Sequence, residues 1–64
     1  MEYFDEYKGM RGTIEYEDIY YGQLLDIEHY IYYHANSIEE LEEHFKIAVD
    51  NYIKWRDKKG VNKQ

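Results

Sequence analysis

The stretch Ser37-Ile38-Glu39-Glu40-Leu41 decides the fold, because it marks where the strongest helix of the chain begins. A serine followed three residues later by a glutamate, directly before an apolar run, is a capping box. The Ser37 hydroxyl can accept a hydrogen bond from the Glu40 backbone N–H, and the Glu40 carboxylate can accept one from the Ser37 N–H. The sequence therefore predicts a helix that begins at Ser37.

The predicted helix carries one apolar stripe. Its apolar side chains recur at steps of three and four residues, which places them on one face. They are Ile38, Leu41, Phe45, Ala48, Val49, Tyr52 and Trp55. Gly60 follows Lys58 and Lys59 and supplies the expected stop. We therefore expect a helix over residues 37–59 and a tail over residues 60–64.

The residues before Ser37 are typical of strands. Apolar and polar side chains alternate over residues 10–17, and residues 19–25 form a second strand after a turn, which together make an antiparallel hairpin. Residues 29–34 are rich in β-formers and give a third strand, whereas residues 1–8 lack periodicity and are expected to be a lead-in. The predicted fold class is α+β, a small antiparallel three-stranded sheet over residues 10–34 with one long C-terminal helix packed on one face (β-β-β-α).

Two glycines, Gly12 and Gly22, fall inside the predicted strands. A glycine within a strand usually marks a bulge or a close backbone approach. We therefore expect either a close backbone approach or a bulge at these positions.

Size and charge restrict the function classes. The 64 residues form a single predicted domain over 1–64, small enough that a partner or a homodimer is expected to stabilise it. The chain has no cysteine, so a disulfide framework or thiolate metal site is excluded. Its net charge of −6 argues against direct nucleic-acid binding and favours a basic protein partner, although solubility alone also explains it. No run of the roughly 20 apolar residues needed to span a membrane is present, and the acidic N-terminus lacks signal-peptide character, so a cytoplasmic location is expected.

The chain contains nine tyrosines, more than one helix can cover. Tyr30 and Tyr32 alternate with Ile31 and Tyr33 in the predicted third strand, so the two pairs point to opposite faces. If Ile31 and Tyr33 pack under the helix, Tyr30 and Tyr32 lie on the open face of the sheet with Tyr21. An exposed tyrosine group is a plausible contact surface, and cross-strand pairing on a solvated sheet is the alternative explanation.

Four acids crowd the first turns of the helix. Glu39 and Glu40 are explained by the helix dipole, whereas Glu42 and Glu43 extend an acidic edge that a basic partner could use. The candidate partner-binding residues are thus Tyr21, Tyr30, Tyr32, Glu42 and Glu43.

Catalysis and metal binding are not expected, and no cofactor is expected either. The carboxylates near the first turn, Glu15, Glu17 and Asp18, do not converge as two-metal chemistry requires. His29 and His34 are an odd number of residues apart on the predicted strand and face opposite sides. Together with His44 they are interpreted as ordinary surface histidines.

The ordered set of residues resembles the HicB-like antitoxin family. The resemblance covers residues 7–60 and rests on two groups of positions. The first group is Tyr7-Lys8-Gly9, Gly12, Glu15-Tyr16, Tyr21-Gly22, Leu25, Ile27 and Ile31-Tyr32-Tyr33. The second is Ser37-Ile38-Glu39-Glu40-Leu41, Phe45, Ala48-Val49-Asp50 and Tyr52. The resemblance implies a partial RNase H-like fold, an antiparallel sheet with one helix packed on it.

Membership of this family would imply the antitoxin of a type II toxin–antitoxin pair, which occludes a small basic toxin that cleaves mRNA. Many HicB proteins also carry a C-terminal DNA-binding segment, which the resemblance does not include here, so autorepression by this chain is not expected. Two alternatives follow, a piece of a longer antitoxin or a stand-alone domain. A stand-alone acidic domain could equally be a phage-type inhibitor of a nucleic-acid-handling host complex, such as an anti-CRISPR or nucleic-acid mimic. A metal-dependent nuclease is the third and weakest hypothesis.

Overall fold

The protein is an antiparallel sheet of four strands followed by one helix. The computed structural model describes the backbone of residues 2–62 and the side chains of residues 2–58. The strands are β1 (Glu2–Tyr3), β2 (Thr13–Glu17), β3 (Ile19–Gln23) and β4 (Tyr32–Ala35), and the helix α1 is Ile38–Asn62. The strands lie in chain order, each antiparallel to the next. The predicted α+β class is confirmed, with four strands where three were expected.

The fourth strand, β1, lies in the segment predicted as a lead-in. Lys8 and Gly9 both have positive φ, 53° and 85°, and Tyr7 and Met10 exchange backbone hydrogen bonds of 2.8 and 3.0 Å. This two-residue turn has the primed geometry that matches strand twist, and it folds residues 2–4 back antiparallel to β2. Phe4 is buried there, with its ring stacked 5.0 Å from the ring of Phe45 on α1. The prediction of a lead-in over residues 1–8 is therefore wrong for residues 2–8.

The other strands are shorter than predicted but keep the expected order. β2 and β3 form the predicted hairpin, with Asp18 at positive φ in the turn and Glu15 opposite Tyr21. The predicted third strand begins at residue 32 instead of 29, because residues 26–29 are a series of bends. The Leu24 N–H still donates to the Ile31 carbonyl at 3.0 Å, so the hydrogen bonding continues one pair past β4.

Tyr33 on β4 reaches across β3 into the gap between β2 and β3. Its hydroxyl donates to the Thr13 carbonyl at 2.9 Å, while the Gln23 N–H donates to the Thr13 Oγ1 at 3.0 Å. Gly22 lies directly opposite Tyr33, and a Cβ there would meet the Thr13 carbonyl and come within 2.8 Å of the Tyr33 ring. A Cβ at Gly12 would meet the Tyr33 hydroxyl. The predicted close approach at the two strand glycines is confirmed, and we call this arrangement the Tyr33 slot.

The helix begins as the capping signal predicts. The Glu40 N–H donates to the Ser37 Oγ at 3.2 Å, and the Glu40 carboxylate accepts from the Asn36 N–H at 3.2 Å instead of from Ser37. The second capping bond therefore closes one residue earlier than predicted. The helix continues to Asn62, so Gly60 is not its end, and the outer part of the predicted tail, residues 63–64, lies outside the described residues.

The core lies between α1 and the sheet. Leu41, Phe45 and Val49 are the most fully enclosed side chains, and α1 packs chiefly on β4 and then β3. A 25-residue helix is about 37 Å long, whereas a five-residue strand is about 17 Å long. The helix is therefore longer than the strands, and Ile38 and Trp55, at the ends of the predicted apolar stripe, are exposed.

Candidate protein-binding surfaces

One face of the sheet is not covered by the helix. Tyr33 and Ala35 are buried under α1, so alternation along β4 turns Tyr32 and His34 to the opposite side. The strand register places Tyr21 opposite His34 and Gln23 opposite Tyr32. We call this surface the open face; its residues include Tyr3, Glu15, Glu17, Ile19, Tyr21, Gln23, Tyr32 and His34.

The open face combines phenol groups with carboxylates. Tyr32 is 66% exposed, and Tyr21 is half-buried with its hydroxyl 3.5 Å from the Glu15 Oε1. The negative charge of Glu15 raises the pKa of Tyr21, because it opposes formation of a second anion nearby. Arg11 lies 5.8 Å from the centre of the Tyr3 ring at the β1 side. The face thus offers aromatic area and acceptor oxygens, which suit the cationic and amide groups of a protein.

A groove runs between the free edge of β4 and the helix. It has a volume of about 650 Å³ and is lined by mostly apolar or aromatic side chains of both elements. Ile31 and Tyr33 line it from the sheet, and Ile47, Tyr52 and Trp55 line it from the helix. Ile47 is 55% exposed and Trp55 is 45% exposed. We call this the edge groove.

The backbone of β4 leaves groups unpaired along the groove. Hydrogen-bonded pairs alternate along an antiparallel ladder, and the bond from Leu24 to Ile31 fixes the phase of that alternation. The backbone groups of Tyr33 therefore face β3, whereas those of Tyr32 and His34 face away from the sheet. The His44 Nδ1–H donates to the outward His34 carbonyl at 2.7 Å. A carbonyl can only accept, so the Nδ1 of His44 carries a hydrogen.

The helix side of the edge groove has a regular spacing. His44, Ala48, Asn51 and Trp55 all line it, at intervals of four, three and four residues. The rings of His29 and Trp55 meet edge to face at 4.8 Å. This spacing places the four side chains on one face of α1, which we call the helix seam.

The structure brings some of the predicted contact residues together and separates others. Tyr21 and Tyr32 share the open face. Tyr30 lies in the connection before β4, not in a strand, and is 82% exposed. Glu42 and Glu43 are on the helix, on the other side of the sheet from the open face, so the predicted single surface of tyrosines and these acids does not form. Glu42 points toward Lys46, 3.7 Å away.

The three histidines share one site instead of being scattered. His29, His34 and His44 all line the edge groove, although sequence reasoning placed the first two on opposite faces. His29 lies in a bend and not on the predicted strand. Its ring packs against Trp55 of the helix, whereas His34 belongs to the open face. Across residues 2–58, no group of three or more His, Asp or Glu side chains is arranged to hold a metal ion.

A separate cluster ties the first turn to the helix. The Lys8 ammonium donates to the Asp50 carboxylate at 2.8 Å, and the Tyr7 hydroxyl donates to it at 3.3 Å. The hydrogen bond from Lys8 is the main cause that lowers the pKa of Asp50, and the same bond raises the pKa of Lys8. The cluster is partly exposed to solvent, with Tyr7 and Asp50 half-buried, and it links the N-terminal hairpin to α1.

Sequence reasoning missed several residues of these surfaces. Glu15 and Tyr3 on the open face were not selected, although the alternation that selected Tyr21 also includes Glu15. Ile47 and Asn51 of the edge groove were not selected, although their spacing from His44 and Trp55 was visible in the sequence. The predicted apolar stripe also includes Trp55, so the spacing of the groove residues does not stand out in the sequence.

No family model, curated protein or solved structure matches this chain. The resemblance to HicB-like antitoxins therefore stays a prediction. Within the part of the chain that the structure describes, no helix has both the length and the apolar character required to cross a membrane.

Proposed function

We propose that this chain is a noncatalytic protein-binding domain that covers a basic surface of a partner protein, as a HicB-like antitoxin covers its toxin. The observation that carries the proposal is the open face, an uncovered sheet surface that combines tyrosines with a carboxylate. Small domains rarely leave aromatic groups uncovered unless a partner contacts them. The proposal places the domain in the cytoplasm, where such a toxin acts.

Charge complementarity supports a basic partner. The chain has a net charge of −6, and Glu15 and Glu17 both belong to β2. Exposed charges mainly steer encounter, whereas aromatic side chains at the centre of an interface slow dissociation. Glu15 and Tyr32 on the open face therefore have separable effects on binding kinetics.

The test first asks whether a small basic protein is encoded beside this chain. That protein is then the probe for surface plasmon resonance at two salt concentrations. Glu15→Lys should slow association and weaken its salt dependence, and Tyr32→Ala should speed dissociation. Glu42→Lys is the matched control, because it reverses the same charge away from the open face. Equal effects of the two reversals would contradict the proposed surface.

The second hypothesis, an acidic inhibitor of a nucleic-acid-handling complex, rests on the same charge. It is supported instead if no small basic gene is adjacent and the chain inhibits a nuclease complex in competition with its nucleic acid. Loss of that inhibition in Glu15→Lys but not in Glu42→Lys would again assign the contact to the open face.

A further inference from the structure

We propose that the edge groove is filled by a second copy of this chain, related by a two-fold axis. In this dimer β4 pairs antiparallel with the partner subunit's β4, and α1 lies antiparallel to the partner subunit's α1. The proposal concerns a surface that shares with the open face only Tyr32 and His34, at the edge of the sheet. It does not depend on the identity of any other partner.

The free edge of β4 supplies the first contact. Tyr32 and His34 direct their backbone N–H and carbonyl groups outward, as an edge strand must to pair with another. With the axis at Tyr33, Tyr32 lies opposite His34 of the partner subunit, and this pair can exchange two backbone hydrogen bonds. The His34 carbonyl already accepts from His44, but a carbonyl oxygen has a second lone pair. The edge is thus able to pair with its own copy.

The position of the helix allows the two copies of α1 to meet. Strands are spaced about 4.8 Å apart, so a helix over the boundary of β3 and β4 lies roughly 5 Å from an axis beside β4. Two such helices are then about 10 Å apart, which is the normal distance for packed helices. Since α1 packs on both β4 and β3, the continued sheet would bring the two helices into contact.

The helix seam fits a helix of the same kind. Ala48 is small at the centre of the seam and permits close approach, while Asn51 beside it can pair with a polar group across the axis and fix the register. In an antiparallel arrangement centred between these residues, His44 lies opposite Trp55 of the partner subunit. The apolar side chain of Ile47, largely exposed in one copy, would be covered.

Charge selects a second copy over an acidic or basic partner. Along the outer flank of the seam the helix is acidic at its start, with Glu40 and Glu43, and basic toward its end, with Lys54 and Lys58. All four side chains are exposed. An antiparallel copy places each acidic end beside a basic end, whereas a uniformly charged partner would repel one of the two ends.

Sedimentation equilibrium of the full chain over a wide concentration range tests the proposal. We expect a species of twice the 7.9 kDa chain mass, and Ile47→Glu should return it to the single-chain mass. The only tryptophan, Trp55, reports the same event, because its emission should shift to shorter wavelength as the groove is covered. Circular dichroism confirms that each variant is folded.

Charge reversal tests the antiparallel arrangement itself. Glu43→Lys and Lys54→Glu should each weaken the dimer about two- to thirtyfold, since each disrupts two symmetry-related exposed pairs. Combining the two reversals should restore most of the affinity, whereas Glu42→Lys on the other flank should leave it unchanged.

Three outcomes would overturn the proposal. The first is a 7.9 kDa species at every concentration. The second is a dimer that a folded Ile47→Glu variant retains, because the contact would then lie elsewhere. The third is a dimer in which the combined reversals are no better than each alone, because the helices would then not be antiparallel. None of these results affects the prediction that Glu15→Lys impairs binding of a basic partner.

Discussion

Adding one methyl group to either strand glycine tests how closely the chain packs in the Tyr33 slot. At Gly22 the added Cβ meets the Thr13 backbone carbonyl and lies 2.8 Å from the Tyr33 ring. Overpacking costs about 1–3 kcal/mol, and a backbone obstacle places the cost at the upper end of that range. Restricting the unfolded chain returns roughly 0.4–1 kcal/mol. We therefore expect Gly22→Ala to lower the free energy of unfolding by about 2 kcal/mol.

At Gly12 the nearest obstacle is a side chain and not the backbone, so a second substitution can remove it. A Cβ there meets the Tyr33 hydroxyl and lies 2.7 Å from the edge of the Phe45 ring. Tyr33→Phe alone leaves the buried Thr13 carbonyl without its donor and should cost about 1–3 kcal/mol. In Gly12→Ala, however, the same change removes the nearest obstacle. The double variant should therefore be less destabilised than the two single variants predict. The losses in free energy of unfolding of Gly12→Ala and Tyr33→Phe should sum to about 1 kcal/mol more than the loss in the double variant.

Gly22→Ala is the matched control for this coupling. Its nearest obstacle is a main-chain atom of β2, which Tyr33→Phe leaves in place, so these two costs should add within about 0.5 kcal/mol. Urea denaturation followed by circular dichroism gives the free energy of unfolding of each variant. A 64-residue domain has a total free energy of unfolding of only about 3–10 kcal/mol, so changes of this size are a large fraction of it. A Gly22→Ala variant as stable as the parent would refute the packing described for the Tyr33 slot. Equal coupling of Gly12→Ala and Gly22→Ala to Tyr33→Phe would refute it as well.

Three further outcomes are expected. Ser37→Ala should cost about 1 kcal/mol, whereas Phe45→Ala should cost about 3–5 kcal/mol, as their urea midpoints would show; a milder effect at Phe45 would contradict the helix register. The pKa of Asp50 is lowered, so its bond with Lys8 stabilises the fold fully above the ordinary aspartate pKa, and this stabilisation is lost as pH falls through the lowered value. The free energy of unfolding of Asp50→Asn should therefore decline less in acid than that of the parent. Burial raises the pKa of Tyr33, so its contribution to stability is complete below the ordinary tyrosine pKa of 10.0 and is lost as pH rises through the raised value of the folded state. In alkaline denaturation, Tyr33→Phe should lack this part of the loss of stability.

The structural elements that were predicted correctly are specified by residues close together in the sequence. The helix start is encoded within four residues by Ser37 and Glu40, and the β2–β3 hairpin by alternation on both sides of a turn. The strand β1 was missed because it is only two residues long and its turn, Lys8-Gly9, lacks the more recognisable Asn-Gly or Asp-Gly sequence. Burial of Phe4 depends on contact with Phe45, which is far away in the sequence.

The candidate surfaces could be predicted only in part for the same reason. Alternation along β4 correctly turns Tyr32 away from the helix. The edge groove, in contrast, depends on how α1 lies over β3 and β4, and this placement is not visible in a local pattern. His29 lines the groove only because the bend before β4 places it beside Trp55.

The unequal edges of the sheet determine how far association through strands can proceed. At one side, β1 contributes only Glu2–Tyr3, too short a template to recruit another chain. At the other side, the outward groups of β4 would be consumed by a single two-fold contact. Growth by edge pairing would then stop at two copies, so concentrated solutions should contain closed particles of uniform size and no filaments.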